Sequence, residues 1–291
     1  MIEVDALRRF SRAYTQRIGL LEESYLDAGR PLGPSRLLFE IGSGTVRVLD
    51  LRRRLDLDSG YLSRLLRRLE DDGLVTVAED PADRRQRVVA LTAAGRTEWK
   101  RLDRRSDQLA RRLVDPLTTQ QRAELAAALT SADRLLRAAT VTFDSMDPRA
   151  PDARWAMTEY FAELDARFPT GFDADAALAA DPESLSPPQG LMLVVHSDLD
   201  PIGCAGLTRV DQHTAEIKRM WIHPDWRGLG LARRLIDALE QTARRQRRRR
   251  VVLDTNATLV EAIALYERLG YRSIERYNDN PYAQRWFGKD L

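Results

Sequence analysis

The sequence predicts two domains in series, a mainly α-helical one followed by an α+β one, and three observations lead there. Its 291 residues exceed one typical domain and are about right for two. In the first half only Val75 to Leu91 alternates as a hairpin would (VTVAED, PADRRQ, RVVAL). From Leu191 onward, by contrast, short β-rich runs follow one another between turns: LMLVVH, IGCAGLTRV, AEIKRMWI and VVLDT. Between the two textures lies Pro148 to Asp152, a proline-containing charged stretch that favours extended chain over helix. The boundary is drawn there, giving domains 1–146 and 152–291 with a linker at 147–151.

Composition narrows the classes. An apolar fraction of 43% supplies two cores, and no apolar run approaches the roughly 20 residues of a bilayer span. The N-terminus, MIEVDALRRF, does not read as a secretory signal. A single cysteine, Cys204, has no internal partner, so a reduced cytoplasmic location with no membrane is expected. The net charge is only +2, but nearly all basic residues are arginine, whose planar fork suits phosphate and carboxylate.

The first domain reads as a helix from Val4 to about Leu26, short helices, the hairpin, and two helices ending near Thr142. A short helix over Val46 to Leu55 precedes a second one that Asp58 or Ser59 caps. Leu62, Leu65, Leu66 and Leu69 recur there at helical spacing, and Gly73 suits a left-handed C-terminal cap. The opposite face carries Tyr61, Ser63, Arg64, Arg67 and Arg68. Two such helices have helix-turn-helix form, with a polar N-terminal half that can enter a major groove. The hairpin tip, Asp80 to Arg85, is turn-forming and basic, as a wing reaching phosphates or a minor groove would be.

This segment resembles the MarR-type winged helix. Asp83 and Arg85, followed by Leu91, Thr92 and Gly95, match the wing pattern Asp-x-Arg and the Leu-Thr-x-x-Gly beyond it. The resemblance covers roughly residues 1–142 and implies a homodimer on double-stranded DNA. By it Arg84 and Arg85 belong to the wing that reaches DNA, Arg85 entering the minor groove, and Asp83 orients a wing arginine. Ser59, Tyr61, Ser63 and Arg64 would face bases or phosphates. The alternative is a winged helix kept only for dimerisation.

In the second domain the informative stretch runs from Ala215 to Arg245. The strand AEIKRMWI stops before Pro224, which cannot donate to a ladder, and Arg227-Gly228-Leu229-Gly230-Leu231-Ala232 leads into an amphipathic helix. Glycines let backbone N–H groups approach an anion, and the helix aims its positive end at the same place. A pyrophosphate fits. Neither the dinucleotide fingerprint nor a Walker loop is matched, since the third glycine and the Gly-Lys-Ser/Thr are missing.

What remains, Arg-x-x-Gly-x-Ala, resembles the coenzyme A loop of the GNAT-type N-acetyltransferases. Two further elements agree: the turn Asp198 to Gly203 before Cys204 to Leu207, and VVLDTN leading to Glu261 to Tyr271. The resemblance covers roughly residues 154–291 and implies a GNAT acyltransferase fold with a mixed, mostly antiparallel sheet. It implies acetyl-CoA as cofactor and a small-molecule amine as acceptor. Met220, Trp221 and Ile222 would offer backbone to the pantetheine, and Arg227 through Arg233 would wrap the pyrophosphate. Tyr266 would protonate the departing thiolate, or is a packed aromatic. Glu216 is the candidate general base, or a strand carboxylate paired with Lys218 or Arg219. Asn256 binds coenzyme or substrate, or caps the next helix; the tail Tyr277 to Tyr282 joins the acceptor pocket or makes an ordinary turn.

Arg244 to Arg250 reads as a solvated helix end, the three histidines lack metal-ligand spacing, and Cys204 reads as core rather than nucleophile. Together these readings predict a DNA-binding regulator joined to an acetyl-CoA-dependent N-acetyltransferase. The rival is a regulator whose transferase fold only senses the coenzyme.

Overall fold

A computed structural model of the chain describes residues 2–20, 24–27, 29–42, 44–81, 83–169, 171–174 and 182–291. Its contacts divide into two units, Met1–Leu129 and Thr130–Leu291. No helix among the described residues is long and apolar enough to cross a membrane.

The first unit holds helices α1 (Ile2–Arg17), α2 (Leu32–Ile41), α3 (Val48–Arg54), α4 (Ser59–Asp71), α5 (Ala93–Val114) and the start of α6 (Thr119–Ala139). Strands β1 (Thr45–Arg47), β2 (Val75–Glu79) and β3 (Arg87–Leu91) form its sheet in the order β1-β3-β2. The first helix is shorter than the expected Val4 to Leu26. It stops at Arg17 because Gly19 takes a left-handed backbone (φ 65°), and residues 21–23 lie outside the described set. The helix expected from Val46 also starts late. Thr45 and Val46 are β-branched and pair instead with Ala90 and Val89, adding an edge strand to the hairpin.

Helix α4 follows its sequence pattern. Asp58 caps it by accepting the Tyr61 N–H at 2.9 Å, and Leu62, Leu65, Leu66 and Leu69 are buried against Leu37, Leu38, Leu51 and Val89. Each fully buried leucine contributes about 1.5–3 kcal/mol, which fixes the helix beside the hairpin. The Leu-Thr-x-x-Gly segment locks the two together. Thr92 donates its hydroxyl to the Gly73 carbonyl at 2.7 Å and caps α5 through the Gly95 N–H. A Cβ on Gly95 would lie 1.9 Å from the Leu74 carbonyl oxygen, so only glycine lets α5 approach this closely.

The second unit contains a seven-stranded sheet in the order β4-β5-β6-β7-β8-β10-β9. Its strands are β4 (Thr142–Met146), β5 (Gly190–Ser197), β6 (Asp200–Arg209), β7 (Thr214–Ile222), β8 (Arg250–Thr255), β9 (Arg272–Ser273) and β10 (Arg285–Asp290). All pairs are antiparallel except β7 with β8. Helices α7 (Pro151–Arg167), α8 (Leu231–Arg245) and α9 (Val260–Arg268) complete it. Alternation along β5 serves both faces: Leu193 and Val195 join the core under α8, whereas Met192 and Val194 join the core under α7.

The boundary differs from the expected one. Thr142–Met146 pairs with Met192–His196 and therefore belongs to the second sheet, not to the first domain. The supposed linker is a turn and a helix start: Ala150 is the N-cap and Pro151 occupies the first helical position, where its missing N–H costs nothing.

Candidate functional site

The central opening in the second unit arises from unequal strand pairing. β7 pairs with β8 only through Thr214, Ala215 and Glu216, and the two diverge beyond that point. A cavity of about 550 Å³ fills the gap, bordered by β7 from Ile217 to Met220, by Asp254 to Asn256, and by Tyr266. On the other edge of β7 a bulge opposite Cys204 to Gly206 puts Arg219 in a left-handed conformation (φ 54°).

The glycine turn lies at the end of this strand. Gly228 and Gly230 have φ of 79° and 75°, and the space where their Cβ atoms would stand is open. Gly230 caps α8 without a side-chain hydrogen bond. Among the described residues the amides from Gly228 through Leu229, Gly230, Leu231 and Ala232 to Arg233 find no acceptor within the chain. Bare, converging N–H groups at a helix start form an anion site. The Arg233 side chain is exposed, but that of Arg227 points elsewhere: its guanidinium donates to the Ile222 carbonyl at 2.9 Å and to Glu163 on α7 at 2.5 Å. Glu163 also accepts the Trp221 indole N–H at 2.8 Å. Burial raises its pKa, yet Arg227, Trp221 and Arg167 together hold the carboxyl below its ordinary value. Of the three residues expected to offer backbone, Met220 lines the cavity, Trp221 turns its ring to α7, and the Ile222 carbonyl is taken by Arg227.

Tyr266 is buried on α9 and borders the cavity, its hydroxyl donating to the Met220 sulfur at 3.8 Å. Burial, reinforced by the Asp254 charge, pushes its phenol up, so it keeps its proton. Glu216 is ringed by donors: Tyr277 Oη at 2.8 Å, Asn278 Nδ2 at 3.1 Å, Lys218 Nζ at 3.2 Å and Thr208 Oγ1 at 3.4 Å. Asn278 also donates to Asp254 at 2.5 Å, and Asn280 donates to the other Asp254 oxygen at 3.0 Å. The network ties the tail to β7 and β8, and Asp254 is its carboxylate on the cavity wall. Asn256 borders the cavity too, but its side chain is spent on Tyr282 and Thr258, and it does not cap α9.

In the first unit, Ser59, Tyr61, Ser63 and Arg64 all lie exposed along α4, with Arg64 stacked 5.9 Å from the Tyr61 ring centroid. The hairpin tip exposes Arg84 and Arg85; Ala82 lies outside the described residues. Asp83 shapes this tip by accepting the Arg85 backbone N–H at 3.1 Å and the Gln86 amide at 3.0 Å. Arg47 on β1 pairs with Asp80 at 3.0 Å and ties the edge strand to the wing root.

The profile of the acetyltransferase (GNAT) family matches residues 154–271. An uncharacterized N-acetyltransferase of Schizosaccharomyces pombe is 31% identical over 134 residues, which cover 45% of this chain and 80% of that protein. The chain belongs to the GNAT acetyltransferase family. The MarR family profile matches residues 29–86 ahead of it, so the GNAT domain follows a MarR-like DNA-binding domain. Among solved structures, a GNAT-family acetyltransferase of Staphylococcus aureus is similar at 18% identity and TM-score 0.47, over 52% of this chain and 99% of that one. A mutant MarR of Escherichia coli complexed with operator DNA is similar at 25% identity and TM-score 0.38, over 45% and 95%.

Acetyl-CoA is the cofactor of the GNAT family, and the residues present fit it. The bare amides around Gly228 and Gly230 suit a diphosphate, and the unpaired edge of β7 suits an amide-bearing arm. Sequence reasoning missed Tyr160, Phe168, Phe172 and Asp254, which line the GNAT cavity. Two signals were available: Tyr160, Leu164 and Phe168 share one helical stripe, and Asp254 interrupts an apolar strand.

Proposed function

We propose that this chain is a homodimeric, cytoplasmic DNA-binding regulator whose GNAT domain is an acetyl-CoA-dependent N-acetyltransferase acting on a primary amine of a small molecule. The observation that carries the enzymatic part is the divergence of β7 from β8 onto a glycine turn with bare amides. Bound acetyl-CoA supplies the acetyl thioester. The amides from Gly228 to Arg233 hold the diphosphate, with Arg227 stationing the turn against α7 through Glu163. Met220, on the cavity, would present backbone to the pantetheine arm, with Trp221 and Ile222 holding the end of the strand through Glu163 and Arg227, and Asn256 braces the cavity edge through Tyr282.

Bound side by side, acetyl-CoA and the amine would allow direct transfer in a ternary complex, with the chain's own residues supplying the proton movements. Cys204 offers no acyl-enzyme route, being fully buried with its thiol 3.3 Å from the Arg219 carbonyl. Tyr266 holds the proton that the leaving thiolate needs. Asp254, on the cavity wall, takes the amine proton. Glu216, the base the sequence suggests, acts from behind by fixing Tyr277 and Asn278.

For the first domain, exposure of Ser59, Tyr61, Ser63 and Arg64 beside Arg84 and Arg85 supports groove and backbone contact, with Asp83 setting the wing turn. Calorimetry with acetyl-CoA followed by a thiol-release assay over pooled amines tests the enzyme. Binding without turnover makes the domain a coenzyme sensor; no binding removes the transferase reading. A mobility assay of the upstream duplex over a salt series tests the regulator, and affinity that ignores salt argues against it.

A further inference from the structure

We propose that the acceptor is an arylalkylamine, a primary amine carrying a flat aromatic ring, held by its ammonium at Asp254 and by its ring against Phe168, Phe172 and Tyr282. The inference rests on the transferase reading above and names its acceptor class. On this wall of the cavity the three rings pack with centroids 4.7–6.1 Å apart. Phe168 is buried, whereas Phe172 and Tyr282 keep part of their surface open. Leu164, Leu259 and Pro281 continue the lining. Such a surface gains from an aryl group by apolar burial and by offset or edge-to-face ring contact.

The polar groups around it are mostly engaged within the chain. Asn256 is taken by Tyr282 and Thr258, and Asn280 by Asp254 and the Tyr282 N–H. Asn278 is shared among Glu216, Asp254 and Trp286. The Tyr282 hydroxyl accepts the Asp173 N–H at 3.1 Å, and Lys218 pairs with Glu216 at 3.2 Å. A polyhydroxylated or polyamine acceptor would bury several polar groups against partners already bonded to one another, and unmatched polar groups are costly to desolvate. Asp254 differs. It borders the cavity, and Asn278 and Asn280 each donate to one of its oxygens and so fix its orientation. A carboxylate has about four lone-pair sites, so two donors leave it capacity for an ammonium. One anionic anchor beside a broad aromatic face is the complement of a single ammonium joined to a ring.

The test is kcat/KM by thiol release from acetyl-CoA for phenethylamine, tryptamine, n-propylamine, spermidine and kanamycin. The two aryl amines should lead, exceeding n-propylamine by roughly tenfold to a hundredfold, as burial of a ring implies. That ratio should fall toward one in Phe172→Ala and by less in Phe172→Leu, which keeps most of the volume. Both variants should bind acetyl-CoA like the wild type by calorimetry, which separates loss of the wall from loss of the fold. Preference for n-propylamine, spermidine or kanamycin overturns the proposal, as does a ratio unmoved in Phe172→Ala and Phe172→Leu alike. If no amine releases thiol, calorimetry of phenethylamine on protein loaded with coenzyme A decides. Binding that Phe172→Ala and Asp254→Asn both weaken keeps this site and removes the transferase reading. Absence of binding, or binding that either change leaves as it was, overturns the site.

Discussion

At Tyr266 burial and the Asp254 charge act in the same direction, both holding the proton on the phenol. A raised phenol would be a poor acid toward a thiolate in water, but under the proposed mechanism the thiolate would leave beside the buried Tyr266 hydroxyl. Desolvation raises the proton affinity of both, and their difference is preserved. Tyr266→Phe should therefore lower kcat by roughly 10²–10⁴-fold with little change in acetyl-CoA affinity by calorimetry. Equal loss of both would make the residue a packing group. Glu163 offers a pH test. Its folded pKa lies below its ordinary value, so its contribution is complete above the unfolded value near 4.3 and is lost as pH falls through the lower folded one. Glu163→Gln should cost about 1.5–3 kcal/mol at neutral pH. It should also flatten the acid limb of the Tm profile; an unchanged limb would sink the assignment. Tyr266 was legible because its motif is contiguous in sequence. The Glu216–Asn278–Asp254 network was not, because it joins β7, β8 and the tail, and no spacing rule connects them.

Among the elements, α5 is held against the turn between α4 and the hairpin by the close approach of Gly95 to the chain at Leu74. Gly95→Ala should destabilise the first unit by about 1–3 kcal/mol or more, read as a lower Tm with the acetyl-CoA affinity of the GNAT domain retained. A wild-type Tm would mean the helix can simply tilt away. This contact was visible in sequence only as a motif, whereas the leucine stripe of α4 was readable from its period alone. The domain boundary failed for two local reasons. Thr142–Met146 is short and largely polar, so its alternation is weak, and Pro151 reads in sequence as a breaker although proline also begins helices. The β7–β8 divergence could not be read at all: strand propensity predicts that a residue is extended, not which neighbour it pairs with.

At the scale of the whole molecule, α1 bears on whether the chain can use a symmetric DNA site. Val4, Leu7, Phe10 and Tyr14 stand three or four residues apart and are 46–59% exposed, with Phe10 and Tyr14 stacked at 5.6 Å. An apolar helical stripe left this open is suited to burial against a second copy. Two linked recognition helices gain an effective-concentration factor of roughly 10²–10⁴ over one, and each copy contributes its own phosphate contacts. The pair Leu7→Asp and Phe10→Asp should convert a dimer to a monomer by sedimentation and weaken binding to a palindromic duplex by about that factor. The slope of log affinity against log salt should fall to roughly half, since it counts neutralised phosphates. Thiol release should persist, because every residue assigned to the GNAT cavity lies within Thr130–Leu291. A variant that stays dimeric, or a monomer that binds the duplex undiminished, would separate the α1 stripe from DNA recognition.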